Sequence, residues 1–164
     1  MLLTVGAMVL LGTTVLTVNK SFTQQGVVLE QTEIGVYGIS VATSVVEEAS
    51  GMAFDQATVG NSVTTTASLT VPNRLGPDLG EITHPQSTAM FNDFDDYNGL
   101  QMGVKIAGVD SFTVKAKVYY IDPSLPETPS SSSTFFKRLD VQVYSASTAD
   151  TIKMSYIFSY FIFR

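Results

Sequence analysis

The chain contains no cysteine, so neither a disulfide framework nor a thiolate metal site can be built from it. Its one histidine, His84, stands beside Pro85 with no second imidazole nearby, which removes the common zinc sets and a Ser-His-Asp triad. The nine Lys and Arg are scattered among 164 residues and give a net charge of −6. No basic stripe is available to follow a phosphate backbone, so a nucleic-acid partner is not expected. No G-x-S-x-G elbow surrounds the serines at 130–133, and no glycine-rich phosphate loop is present. These absences predict a protein that is not an enzyme and takes no cofactor.

What the chain does have is a long apolar start. Residues 1–19, MLLTVGAMVLLGTTVLTVN, carry no charge before Lys20, and a helix of that length can cross about 30 Å of hydrocarbon. No basic region precedes the stretch and no small-residue cleavage site follows it, so it reads as a mature N-terminus and not as an ordinary signal peptide. Gly6, Ala7 and Gly12 are small, and Thr4, Thr13, Thr14 and Thr17 can bond back to the preceding turn. Such a surface allows another helix to approach closely.

Beyond Lys20 the pattern becomes amphipathic. Ile34, Tyr37, Val41, Val45 and Met52 recur at spacings of three, four and seven, with Glu30, Glu33, Glu47 and Glu48 mostly off that line. Gly26, Gly35, Gly38 and the β-branched residues oppose a helix, and Tyr37-Gly-Ile39-Ser-Val41 also alternates like a strand. The expectation is one helix to about Asp55, about 80 Å long at 1.5 Å per residue.

The remainder reads as β-rich. Val63, Thr65, Ala67, Leu69 and Val71 alternate with polar neighbours and predict a strand or extended segment over 60–72, followed by a surface loop at 73–86. Strands are expected at 101–107, 112–121 and 137–144, with 150–163 the longest. Residues 122–134, rich in Pro and Ser, form a projecting loop. In the last strand Met154, Tyr156, Phe158, Tyr160 and Ile162 fall on one side, and Ile157, Phe161 and Phe163 on the other. Two apolar faces imply that a neighbouring subunit or a loop covers the second.

Asp93, Asp95 and Asp96 form the densest carboxylate group and could offer oxygen ligands to calcium. Tyr97 and Val104 occupy the fifth and twelfth positions, so the EF-hand pattern is not met. A turn explains the same residues with fewer assumptions: Asp and Asn cap backbone donors, and Gly99 takes a positive φ. No metal is therefore assigned.

The apolar start, the helix continuing from it, the β-rich second half and the stretch Phe91-Asn-Asp-Phe-Asp-Asp-Tyr-Asn-Gly99-Leu100 together resemble the bacterial type IV pilin and pseudopilin family. The resemblance implies an α+β fold in which a long N-terminal helix, residues 1–55, packs on a C-terminal antiparallel sheet within a head, residues 56–164. It further implies a homo-oligomer, a helical filament of identical subunits. The subunit would be cut by a prepilin peptidase, held in the inner membrane, and moved by assembly machinery to the cell surface. Subunit packing would involve Met1, Val5, Gly6, Gly12, Phe161 and Phe163. The family's usual Phe and Glu at the first and fifth positions are Met1 and Val5 here, so the Met1 amine is expected to find hydroxyl or carbonyl oxygens and no carboxylate. A pseudopilin of a secretion machine and a membrane-anchored binding domain that never polymerises are the alternatives.

Overall fold

The computed structural model describes residues 2–82, 87–148 and 150–160, with side chains described from Thr4 onward. Contacts divide the chain into two compact units, Met1–Val36 and Tyr37–Arg164. One helix, α1 (Leu2–Ser50), supplies all the described residues of the first unit and begins the second.

In the first unit the threonines satisfy themselves within the helix. Thr13 and Thr14 hydroxyls both donate to the Leu10 carbonyl, at 3.0 and 2.8 Å, and Thr17 donates to the Thr13 carbonyl at 2.8 Å. Hydroxyls bonded in this way present little unmet polarity to apolar surroundings.

The second unit combines residues 37–50 of α1 with a five-stranded antiparallel sheet: β1 (Gln101–Ile106), β2 (Asp110–Asp122), β3 (Leu125–Pro129), β4 (Phe136–Ser145) and β5 (Thr151–Ser159). The main strand order is β1-β2-β4-β5, and β3 pairs with the end of β2 through Ile121 and Asp122, with a register shift between them. The β2–β4 ladder is centred on pairs such as Ala116↔Val141 and Val118↔Leu139. Phe112, Val114, Ala116, Val118 and Tyr120 alternate inward from β2, while Leu139, Val141 and Val143 do so from β4. Each fully buried branched or aromatic side chain of this kind contributes about 1.5–3 kcal/mol.

The helix presents small residues to this core. Ile34 and Val45 of the expected line are buried, as are Gly38, Ala42 and Ala49 beside it, whereas Tyr37, Val41 and Met52 are only partly covered. The buried stripe thus keeps Ile34 and Val45 and otherwise runs through small residues in place of Tyr37, Val41 and Met52. A Cβ added at Gly38 would collide with Ile152 Cδ1 and lie 3.5 Å from Phe112 Cε1.

The helix also stops earlier than the amphipathic pattern predicts. The amides of Gly51 and Met52 bond to Glu48 and Ala49 carbonyls, both at 3.2 Å, which tightens and closes the last turn. Asp55 is extended, with φ −162° and ψ 154°, and caps a 3-10 turn at Gln56–Thr58. Competition from this side-chain cap overrides the helical periodicity.

Three further expectations change. Residues 60–72 form no strand but are extended in part, at Thr65, Leu69 and Val71; Val63 and Leu69 are buried, and a 3-10 turn at Thr66–Ser68 interrupts the alternation. The Pro/Ser segment is exposed, yet part of it pairs as β3. The longest described strand is β2 with 13 residues, not β5 with nine.

The outer face of the sheet is polar. Lys115 lies over the Tyr144 ring and Lys117 over Tyr119. Tyr119, Arg138 and Ser155 all donate to Asp140. On the corresponding face of β5, only Ile157 of the predicted apolar set falls among the described residues, and it is half exposed. Phe161, Ile162 and Phe163 lie outside them, as do Met1 and His84.

Candidate functional site

Two regions carry chemistry that the fold alone does not require. The first is the apolar surface of the N-terminal unit. Val5, Met8, Leu10, Leu11 and Leu16 are each more than half exposed. The helix is long and apolar enough to cross a membrane, and none of its most apolar window is buried. Apolar exposure continues past Lys20 to Phe22, Val28 and Leu29. Gly6 and Gly12 face open space, and a methyl group added at either would meet nothing within 4 Å.

The second region is a buried ionic cluster built around the acidic motif. Phe91, Phe94, Tyr97 and Leu100 are all buried, and their spacing of three suits the 3-10 turn at Phe94–Tyr97, in which side chains three apart stack on one line. Asp93 opens that turn. Its Oδ1 accepts the Asp95 amide at 2.8 Å, while Asp96 Oδ2 accepts the amides of Asn92 and Asp93 at 2.8 and 3.1 Å. This reciprocal capping satisfies donors that a short helical turn leaves unpaired.

The motif also fastens neighbouring segments. The Phe94 amide bonds to the Ala53 carbonyl at 2.8 Å just beyond the end of α1. Asn98 donates to the Leu75 carbonyl at 2.8 Å and accepts the Val118 amide at 3.1 Å. Gly99 then takes φ +84°, a left-handed conformation that glycine adopts without a steric penalty. The Gly99 amide and Leu100 carbonyl pair with Ala116 of β2.

At the centre is Lys137, with no exposed surface. Its ammonium donates to the Phe54 carbonyl at 2.8 Å, to Asp55 Oδ2 at 2.8 Å and to Asp95 Oδ1, using all three of its protons. The Phe54 and Tyr120 rings stand 4.6 and 5.1 Å from it, a placement that favours a cation over a desolvated aromatic face. Asp55 is equally committed. It accepts from the Ala57 amide, the Thr70 amide and hydroxyl, and the Tyr120 hydroxyl.

The carboxyl groups divide into two kinds. Burial opposes ionisation of Asp55, but Lys137 and the converging hydrogen bonds outweigh it and hold the carboxyl below its usual range. Burial pushes Asp95 up despite Lys137. Burial, followed by the neighbouring Asp95 and Asp96 carboxylates, pushes Asp93 up to about 9, so it is protonated at neutral pH and shares a side-chain hydrogen bond with Asp95. Glu81 and Asp96 are both raised, burial being the largest cause in each, and they share a hydrogen bond. Glu81 also accepts the Asp78 amide at 2.8 Å and the Asn92 side-chain amide.

The oxygens counted as calcium ligands are therefore directed elsewhere: Asp93 to the turn, Asp95 to Lys137, and Asp96 to two amides and Glu81. Among the described residues no group of three or more His, Asp or Glu is disposed to hold a metal ion. Lys137, Asp55, Glu81 and Tyr120 were not singled out by sequence. A signal existed for Lys137, because Lys137-x-Leu139-x-Val141-x-Val143 places a lysine at the inward parity of β4.

Compared with protein-family models, curated proteins and solved structures, the chain matches none of them.

Proposed function

We propose that the chain is a pilin-like structural subunit that polymerises through the N-terminal half of α1 into an extracellular filament. The observation that carries this reading is the extent of exposed apolar surface on the first unit. It runs from Val5 to Leu29 with Lys20 inside it. A bilayer that covers the residues before Lys20 leaves Phe22, Val28 and Leu29 at or beyond its surface. Neighbouring copies of the same helix in a bundle would cover both stretches, and the small residues at Gly6 and Gly12 would let them approach closely.

The long helix joined to an antiparallel sheet, and the acidic motif closing the helix end onto β2, are consistent with the pilin resemblance. In this reading the subunit waits in the inner membrane before assembly and then resides at the cell surface. A prepilin peptidase and an assembly machine would be its partners, and nucleic acid is not required. A pseudopilin would use the same helix to build a short assembly.

Negative-stain microscopy of material sheared from cells producing the full chain tests the proposal. Filaments of uniform diameter with helical symmetry are the expected result. A monodisperse monomer in detergent, with no filament on the cells, would instead favour a membrane-anchored binding domain.

A further inference from the structure

We infer that Lys137 and Asp95 become joined by an amide bond that the fold itself forms. The Lys137 ammonium contacts Asp95 Oδ1, and the two side chains are 0% and 3% exposed. One lies in β4 and the other in the 3-10 turn of the acidic motif, 42 residues apart in sequence. Tertiary packing therefore holds a primary amine against a carboxyl group, enclosed by the Phe54 and Tyr120 rings. Positioning of this kind converts a bimolecular condensation into an intramolecular one.

The neighbouring carboxyl groups have complementary roles. Asp55 Oδ2, 2.8 Å from Nζ, holds the nitrogen in place, while the Asp95 carboxyl in contact with it takes a proton from the ammonium and exposes the nitrogen lone pair. Its own oxygens are held by Ala57, Thr70 and Tyr120, which keep it ionised and make it a poor electrophile. Asp95 is pushed toward its neutral form, the form that an amine can attack. Asp93 is protonated at neutral pH and hydrogen-bonded to Asp95, so it can donate to the departing oxygen.

The step balances without an oxidant, reductant or co-reactant. Nζ attacks Asp95 Cγ, the new N–C bond forms, and one C–O bond breaks. Starting from ammonium and carboxylate, one proton passes from nitrogen to Asp95 before the attack, and the second leaves nitrogen after it and is replaced at the departing oxygen by the proton of Asp93. Water is released, and Asp93 recovers its proton from the nitrogen and returns to its starting state. The enclosed site then keeps water from reversing the reaction.

Mass spectrometry of the full chain purified in detergent tests this. The expected result is a protein one water lighter than its sequence requires, and a digest containing a branched peptide that joins Lys137 to Asp95. Lys137→Arg should restore the full sequence mass. Asp95→Asn should release ammonia in place of water, leaving any cross-linked chain lighter by one ammonia. Asp93→Asn should lower the linked fraction at least tenfold while circular dichroism remains unchanged. Unmodified wild-type chain with a free Lys137 amine would overturn the inference. So would a branch at Asp55, or an Asp95→Ala chain that is still one water light.

Discussion

Tyr120 donates its hydroxyl proton to Asp55 Oδ2 at 2.9 Å, the same oxygen that receives Lys137 at 2.8 Å. The Tyr120 oxygen also lies 2.8 Å from the Thr70 carbonyl, but a phenol has one proton to give and the charged acceptor binds it more strongly. Ser133 donates to that carbonyl at 3.1 Å and leaves Tyr120 to Asp55.

Tyr120→Phe is expected to cost about 1.5–3 kcal/mol, the usual value of a hydrogen bond to a charged group. Denaturant unfolding of the full chain in detergent provides the measurement. A loss within experimental error would mean that Asp55 does not depend on the phenol.

The carboxyl groups set the pH response. Glu81, Asp93 and Asp96 all have raised values in the folded protein, so the folded state binds more protons than the unfolded state above the ordinary carboxylate range. Their stabilising contribution is complete below about pH 4 and is lost as pH rises, for Asp93 through about 9. Asp55 has the opposite sign: its contribution is present above the ordinary range and is lost on acidification. Stability should therefore decline between about pH 5 and about pH 8, with a shallower decline in Glu81→Gln. A steady rise across that interval would contradict the assignment.

Two helix glycines should respond in opposite ways. Gly35 has nothing within 4 Å of an added Cβ, and Gly35→Ala should stabilise by about 0.5–1 kcal/mol through helix propensity. At Gly38 the added carbon meets Ile152, so Gly38→Val should destabilise by about 1–3 kcal/mol. Shortening the obstructing side chain with Ile152→Val should recover part of that loss. Thermal unfolding of the single and double variants reads both effects, and equal responses at the two glycines would refute the packing argument.

Gly12→Leu tests the assembly surface. The position is open in the single chain, so the variant should fold and enter membranes normally. If Gly12 lies where helices meet, sheared-filament yield should fall at least tenfold. Unchanged yield would remove Gly12 from the packing surface.

Much of the β half was legible because β2 and β4 alternate cleanly between apolar and polar residues over a long span. The helix was legible as an element despite its glycines, and its buried line in part, since Ile34 and Val45 are buried. Tyr37 and Val41 weigh heavily in a hydrophobic pattern yet stay partly exposed, whereas Gly38, Ala42 and Ala49, which such a pattern barely weighs, are buried. Residues 60–72 were legible as a partly extended segment but not as a turn: Val63 and Leu69 are buried, and the threonines between them favour local turns. The acidic motif could be located, but the lysine that completes it is 42 residues away from Asp95, beyond any local spacing rule.

The grip of Lys137 on the Phe54 carbonyl and Asp55 has a mechanical consequence. Tension reaching the polypeptide just after α1 meets a side chain rooted in β4, an interior strand paired to β2 on one flank and β5 on the other. The load is thus shared between two ladders instead of peeling an edge strand. Yielding at this point requires the Lys137 side chain to be drawn out from between the Phe54 and Tyr120 rings, so the segment that follows α1 is held by the interior of the sheet.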